Sequence, residues 1–543
     1  MPAKDKWWDD VIKSDIASYY KSAAQAKKDN KTGSGPASGK KGTYIWGDRV
    51  RILESQQGVK RVSARGVEYW INDRHLGGDP LLEVYVIDVG QGDGLLVVTP
   101  EGHNIMVDGG NTRSFQNGGK NAADFVDWKF FKDYLSYSDR DDTDKAKIHL
   151  DAMIATHNDI DHFGGLFDLI DPDDKDRAEL DCKGVTAEVV YHAGLSWWFG
   201  LTRSGKAKRT LGTITKGSYV KLLGNRTAAV NAVAKLDNPD INTLSGSWGK
   251  FIRAATGLKR KSGAPSAITR LSTATHNYLP GFEPENGKCS IRLLGPVETK
   301  VNGGPALKKF PDGESKNTNG HSVVLRLDYG ERRILLTGDL NTHSQNHIMD
   351  HYGAEFLTEF KSDVAKGCHH GSHDVSYRFL EGMRPHCTVI SSGDAETHDH
   401  PRPNIVAASA ITGRRLIDYE KDSLICPLVY ITEVARSVAI SNVDVMKEYP
   451  EPRPKFEAQK PSGANQIHNT DDEMARFRLF LGTRQSSPFH WPRLDSAKVV
   501  RGLRYGLINI RTDGKRLFFA QMEESGDDWA VTTLSPEQIA AAR

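Results

Sequence analysis

Apolar and polar positions alternate along this chain in several distinct rhythms. Residues 6–28 place Trp7, Val11, Ile12, Ile16 and Tyr19 near helical spacing, which predicts an amphipathic helix. The Gly/Ser/Lys-rich run 29–42 then reads as a flexible linker. Residues 44–76 carry short β-type runs at 49–53, 59–62 and 66–71. From Leu81 strands alternate with helical stretches, the pattern of a layered α/β domain. Its predicted strands are 82–89, 95–98, 104–107, 148–155, 188–191, 289–294 and 388–391, with a hairpin of 323–327 and 334–336 turning at Tyr329-Gly330-Glu331. A Pro-rich, polar run, 448–470, reads as a second linker, followed by strand-like pieces at 507–510 and 517–521. The expected organisation is thus 1–42 helix and linker, 43–80 β module, 81–447 main domain, 448–470 linker, and 471–543 a small C-terminal α+β accessory segment.

Composition narrows the class. With 543 residues the chain can build several domains and a full core. No apolar run approaches the ~20 residues that span a bilayer, and the N-terminal residues lack the apolar stretch of a signal peptide. The cysteines (Cys182, Cys289, Cys368, Cys387 and Cys426) are odd in number and scattered, against a disulfide framework or thiolate zinc site. A soluble, cytoplasmic protein without a membrane segment is the expectation.

Charge is unevenly spread. The overall balance is only +2, yet residues 201–280 hold fourteen basic side chains against Asp237 and Asp240 alone. Such segregation suits a polyanion-facing surface, and equally a solvated basic insertion with no partner. Lys259-Arg260-Lys261 is the expected contact for a nucleic-acid backbone. Trp197, Trp198, Phe199, Trp248 and Phe251 lie in or beside this segment and could be stacking surfaces or core.

The chemistry concentrates in Thr156-His157-Asn158-Asp159-Ile160-Asp161-His162-Phe163-Gly164-Gly165. Four metal-competent side chains, His157, Asp159, Asp161 and His162, follow a strand-like run, and the Gly-Gly lets a helix pack closely. One loop can aim them all inward, as a two-metal hydrolase requires to hold cations about 4 Å apart. Thr337-Gly338-Asp339, Cys368-His369-His370-Gly371-Ser372 and Thr397-His398-Asp399-His400-Pro401 add carboxylate and imidazole at other strand ends. In α/β layers functional residues collect at such ends.

With those motifs the chain resembles the metallo-β-lactamase superfamily, in particular the hydrolase domain of ComEC-type competence proteins. The resemblance rests on Val89-Gly90-Gln91-Gly92-Asp93, Val107-Asp108-Gly109-Gly110, His157 to Gly165, Asn319-Gly320-His321-Ser322, Leu336-Thr337-Gly338-Asp339, His369-His370-Gly371-Ser372 and His400-Pro401. It implies an αββα sandwich, here with a basic insertion at about 196–285. It also implies two divalent metal ions, zinc or manganese, with magnesium as a further choice. His157 and Asp159 would hold one metal; Asp161, His162 and His370 the second; Asp339 would bridge. Asp108 would orient a ligand from beneath, with Asn319 and Ser322 as supporting residues. His370 is favoured over His369 as ligand, leaving His369 to meet substrate; His400 would steady the phosphoryl group or protonate the leaving group. His192 is a further candidate ligand. Asp159 stands where the better-known motif has histidine, which makes that subsite harder and favours manganese or magnesium over zinc. The β module at 43–80 loosely resembles a bacterial SH3-like module through Gly66-Val67-Glu68-Tyr69-Trp70-Ile71.

The resemblance covers the hydrolase and not the membrane channel of competence proteins. The function it implies is a two-metal phosphodiesterase, most plausibly a nuclease acting on nucleic acid, with Asp161 or Asp339 orienting the attacking water. The alternatives are a hydrolase of a small phosphodiester, as in phosphorylcholine-type esterases, and a degenerate-site binding component of a multi-protein system such as anti-phage defence. The N- and C-terminal segments would then contact a protein partner.

Overall fold

A computed structural model describes residues 6–29, 39–115, 120–171, 180–393, 400–432, 506–522 and 529–543. Its centre is a pair of β-sheets. The first has nine strands in the order Ala267–Arg270, Val189–His192, Ala152–Ala155, Asn104–Gly109, Gly94–Val98, Leu82–Val86, Ile508–Thr512, Leu517–Met522 and Trp529–Leu534. The second has six: Ser290–Gly295, Val324–Tyr329, Arg332–Leu336, Val364–Lys366, Cys387–Ile390 and Leu428–Ile431.

Both sheets are buried on two faces, which is why their strands read as continuous apolar runs. Successive side chains point to opposite faces, and the packing follows that alternation. Leu95, Val97, Ile105, Val107 and Ile154 face inward, against Leu293, Leu325, Leu327, Ile334, Leu336 and Val364 of the other sheet. Their neighbours Leu96, Val98, Met106 and Met153 face outward, with Phe163 and Leu166 of helix Ile160–Ile170 and Trp248 and Phe251 of helix Gly246–Gly257. On the far side Val324, Leu335 and Ala365 pack with Ile348, Phe379 and Ile405 from three helices. The layers are helix, sheet, sheet, helix: the expected αββα sandwich.

Three expectations change. No helix spans 6–28; Asp10–Val11 and Ile16–Tyr20 are strands, and only Ala23–Lys28 is helical. Tertiary pairing overrides the helical spacing. Ile16–Tyr20 pairs antiparallel with Lys40–Ile45, and Tyr20 with Trp70, burying Ala17 and Tyr20. The N-terminal β module is therefore a six-stranded antiparallel sheet that starts at Asp10 rather than at residue 43, and Lys40–Ile45 takes the end of the expected linker. Residues 30–38 and the linker 448–470 lie outside the described residues.

The C-terminal strands are likewise no separate accessory. Ile508–Thr512 pairs antiparallel with Leu82–Val86, so the last strands complete the first sheet. At the opposite edge Ala267–Arg270, within the basic segment, pairs parallel with Val189–His192. That segment is built into the sandwich. Among the described residues no helix is long and apolar enough to cross a membrane.

One buried cation ties the β module to both ends of the sandwich. Arg511 Nη2 lies 2.7 Å from Asp48 and 3.3 Å from Glu83, all three buried, and Nη1 donates to the Trp46 carbonyl. Burial opposes the charge on Arg511, but Asp48 and Glu83 outweigh it and raise its pKa. Among the described residues, removing Arg511 leaves Asp48 only the Arg65 cation at 3.5 Å and Glu83 only the Arg49 cation at 3.8 Å, a loss of up to about 3–5 kcal/mol. Arg511→Ala should lower unfolding stability by that order in chemical denaturation, and an unchanged midpoint would show that the module is held by its apolar contacts alone.

Candidate metal centre

The chemistry-bearing loops meet at one edge of the sandwich, where parallel strands of both sheets end. Asp108 comes from the end of Asn104–Gly109 and His157 follows Ala152–Ala155, two parallel neighbours in the first sheet. Asp339 follows Arg332–Leu336, His370 follows Val364–Lys366, and Ser391 follows Cys387–Ile390, parallel neighbours in the second.

Glycine makes the approach possible. A Cβ on Gly165 would lie 2.0 Å from the Gly109 carbonyl oxygen, and one on Gly164 would lie 2.5 Å from the Thr112 nitrogen. Without those atoms helix Ile160–Ile170 rests directly on the strand end. His162, in the helix's first turn, then reaches the Asp108 carboxylate.

Three imidazoles are held so that one nitrogen of each stays available. Asp108 accepts from the Thr156 amide (2.7 Å), the Thr156 hydroxyl (2.6 Å) and His162 Nδ1 (2.8 Å). His370 Nδ1 donates to the Ser391 carbonyl at 3.1 Å. His157 Nδ1 lies 3.1 Å from the Thr156 hydroxyl and 3.3 Å from that of Ser322, and its buried Nε2 has no hydrogen-bond partner. Anchoring Nδ1 fixes ring and tautomer and frees Nε2 to ligate. His162 Nε2 and His370 Nε2 face each other at 3.2 Å, and each lies 3.1 Å from Asp339 Oδ2. Two lone pairs cannot face each other at that distance without a proton or a metal cation between them.

The donor set fits metal. His157, His162 and Asp339 form one converging group, and Asp161, His162 and His370 another. Asp339 Oδ1 is buried without a hydrogen-bond partner, as a ligand atom would be. His369 belongs to no such group, which supports His370 as the ligand of the pair. His369 and His370 both have left-handed backbone, φ 47° and 53°. That conformation costs roughly 1–2 kcal/mol per residue, a local strain of the kind that collects at functional sites.

Other expected residues fall around this cluster. Asp159 Oδ2 lies 3.8 Å from His157 Nε2 and accepts from the Thr318 hydroxyl at 2.8 Å, but joins no converging group. With its amide turned to pair donors with acceptors, Asn319 donates to Asp159 (2.8 Å) and accepts from His369 Nε2 (3.1 Å). The Ser322 hydroxyl receives the Asp339 amide at 3.0 Å. His400 is buried with its ring centre 5.6 Å from that of His369. Residues 397–399 lie outside the described residues.

Two expectations are corrected. His192 joins no ligand group; it accepts from the Gly194 amide at 3.0 Å, packs edge-on against Trp248, and burial pushes its pKa down to about 3. Lys259, Arg260 and Lys261 sit at the wrong end of the sheet. The Lys259 carbonyl accepts from the Ala187 amide and Lys261 binds Glu188, just before strand Val189–His192 begins. That strand runs parallel to Ala152–Ala155, so the triplet lies a strand length from His157, roughly 13 Å at ~3.3 Å per residue. The turn must enter there, because it leads into Ala267–Arg270, which is parallel too.

The basic segment reaches the metal loop by another route. The Trp197 indole donates to the Asn158 carbonyl at 3.0 Å. Arg209 lies 4.2 Å over the Trp197 ring, and Lys221 4.1 Å over Trp198. Trp197, Trp198, Trp248 and Phe251 are buried in the outer core and are not stacking platforms.

Two residues of the centre had no role assigned from sequence. Lys366 Nζ, fully enclosed, lies 2.5 Å from Asp93 Oδ2 and 3.7 Å from Asp339 Oδ1, and donates to the Gly338 carbonyl. Asp93 Oδ1 is 3.4 Å from His370 Nδ1. Burial opposes the Asp93 charge, yet Lys366 and His370 hold its pKa down at about 2. A lysine closing an apolar strand three residues before His-His was the available signal.

The electrostatics agree with a cation site. Burial works against charge on His162, but Asp339 and Asp108 outweigh it and raise its pKa well above the ordinary value. His157 is pushed the other way by burial and by His162, which leaves it a neutral ligand. Burial and Asp161 push Asp159 up to about 7.

Part of the chain is similar to known proteins. Residues 87–177 match the metallo-beta-lactamase superfamily model. ComE operon protein 3 of Bacillus subtilis (strain 168) is 31% identical over 97 residues, covering 18% of this chain and 12% of that protein. Competence protein ComA of Neisseria gonorrhoeae is 38% identical over 91 residues, covering 16% of this chain and 13% of that protein. The chain thus matches about an eighth of the length of these relatives. A crystal structure of a metal-dependent hydrolase of the beta-lactamase superfamily superposes with TM-score 0.27 at 11% identity, covering 64% of this chain and 95% of that one.

Metal should exchange for protons here. Burial opposes charge on His370, but Asp339 and Asp93 raise its pKa from the ordinary 6.5 to about 9. Its charged form therefore stabilises the metal-free fold fully below pH 6.5, and that contribution is lost as pH rises through about 9. Chelated protein should melt lower at pH 9.5 than at 6.5. Manganese binding at pH 7.5 should release about one proton or more, read by calorimetry in buffers of different ionisation enthalpy. Binding with no proton release would place the metal elsewhere.

Proposed function

We propose that this metallo-β-lactamase domain of the ComEC type is a two-metal phosphodiesterase that cuts nucleic acid. The observation that carries this reading is the pair of ligand groups sharing His162, with Asp339 in reach of His157, His162 and His370. One carboxylate common to two subsites is what a bimetallic centre requires. Divalent metals bound there would lower the pKa of water and polarise a phosphoryl oxygen.

The chain's own groups supply the rest. Asp161, partly exposed beside His370, can accept a proton from the attacking water. His369 is the ring of the pair that reaches solvent, with about a fifth of its side chain exposed, and Asn319 aims it. His369 and His400 together line the approach where a leaving oxygen needs a proton. Asp159, 3.8 Å from His157 Nε2, would make that subsite hard on turning to a bound metal, which supports manganese or magnesium over zinc.

Nucleic acid is favoured as substrate by charge close to the centre. Arg209 and Lys221 stand on Trp197 and Trp198, and Trp197 is bonded to the metal-bearing loop. A polymer entering the site would cross that rim before it reached Lys259-Arg260-Lys261, a strand length farther away.

The test is cleavage of labelled single- and double-stranded DNA and RNA, with manganese, zinc or magnesium restored after chelation. Asp339→Ala should abolish cleavage of every substrate while the protein stays folded. Arg209→Glu with Lys221→Gln should weaken polymer cleavage and flatten its salt dependence, by ~0.7–0.9 per lost phosphate contact. Hydrolysis of a small chromogenic phosphodiester should be nearly unchanged. Loss on the small ester and on polymer alike would remove the rim from substrate binding, and absence of any polymer cleavage would refute the nuclease reading.

A further inference from the structure

The second sheet carries another cavity at the end of its strands away from the metal centre. It is an open cleft of about 560 Å³ lined by Arg332, Arg333, Lys361, Arg384, Arg414 and Arg543, with Glu331 and Asp363 as the acidic members. Arg332 opens the strand that leads to Asp339, and Asp363 precedes the strand that leads to His370. These strands are parallel. The cavity is thus a strand length from the metal ligands, roughly 15 Å at ~3.3 Å per residue.

Its charge is not balanced from within. Glu331 and Asp363 are both taken by Arg332, at 2.9 and 3.4 Å, and Asp363 also faces Arg414 (3.5 Å) and His386 (3.3 Å) and accepts the Arg333 amide (2.8 Å). Among the described residues the side chains of Lys361, Arg384 and Arg543 make no ion pair and no hydrogen bond. Arg332 is more than nine-tenths buried, and its Nε has no hydrogen-bond partner. Its Nη atoms are turned to Glu331 and Asp363 and its Nε is closed to solvent, so the charge that faces the cavity comes from Lys361, Arg384, Arg414 and Arg543.

The remaining wall is apolar. Pro536, Ile539 and Ala540, from helix Pro536–Ala541, face the cations. The volume lies in the range of small-molecule sites, about 300–1,000 Å³, and exceeds what a single phosphate needs. Arg333 is taken by Asp328 and the Thr358 carbonyl, which leaves four cations on one side for several phosphates, and an apolar wall opposite suits a flat heterocycle. We propose that this cavity binds a nucleoside polyphosphate, with its phosphates on Lys361, Arg384, Arg414 and Arg543 and its base against Pro536 and Ala540. The ligand is separate from the substrate, since it sits at the other end of the strands.

The test uses the full chain, stripped of metal so that phosphates have no cation at the other site. Calorimetric titration with ATP should show binding, and Asp339→Ala should bind ATP equally well. Lys361→Glu with Arg384→Asn should bind at least about tenfold more weakly. Both positions are exposed, and asparagine tolerates the left-handed backbone of Arg384 (φ 41°), so the melting temperature should hold. Tripolyphosphate should bind more weakly than ATP, for want of the base. The proposal is overturned if ATP does not bind, if the double variant binds it as wild type does, if tripolyphosphate matches ATP, or if a single-stranded oligonucleotide displaces ATP from this site.

Discussion

A crowd of buried like charges governs this molecule. Asp93, Asp108 and Asp339 are buried around His162 and His370, Asp159 and Asp161 lie partly exposed at the edge, and Lys366 is the permanent cation among them. Ionised carboxylates taken out of water are costly unless paired. Without metal, His162 and His370 must carry protons to offset them, and both are shifted that way. The fold holds these groups because five strand ends and a Gly-Gly helix contact over-determine their positions. Divalent cations bound there would satisfy the same constraint while displacing the protons, so the centre suits positive charge in either form.

Much of this was legible in the sequence, for a physical reason. Strands buried on both faces must be apolar along their whole length, so the sandwich showed as continuous runs, and a chemical group at a strand end showed as a break in the run. His157, His162, Asp339 and His370 could be picked out that way. Tertiary pairings left no such mark. Nothing local distinguishes Ile16–Tyr20 from a helix face until Lys40–Ile45 lies beside it. Nothing local places Ile508–Thr512 next to Leu82–Val86, more than four hundred residues away. Lys366 was missed because a lysine is normally read as a surface residue, and its burial follows only from Asp93 and Asp339 arriving from distant segments.

The basic segment shows how charge count misleads when geometry is absent. Its charge density pointed to Lys259-Arg260-Lys261, yet parallel strand order puts that turn at the end of the sheet away from the metals. Its aromatics pointed to stacking, yet an edge strand and a helix that complete an outer layer need large apolar side chains, and Trp248 and Phe251 supply them beside Phe163. What remains for polyanion contact is the rim where cations sit on indole faces. A cation over an indole is held in place and still presents charge outward, at roughly 0.5–2 kcal/mol per pair. Those two charges lie nearer the metal-bearing loop than Lys259, Arg260 and Lys261 do.

The same strand geometry orders the second sheet. A parallel strand has chemically different ends, and here each end collects its own sign. Asp339 and Asp93 gather at the carboxyl ends, where Lys366 and two histidines answer them. Arg332, Arg384 and Arg414 gather at the amino ends, where only Asp363 and Glu331 answer. The strands between are apolar and packed on both sides, so neither cluster can neutralise the other through a medium where screening is weak but separation is roughly 15 Å. Each end thus keeps its own sign: protons on His162 and His370 offset one where divalent cations could replace them, and water solvates the exposed cations of the other where an anion could bind.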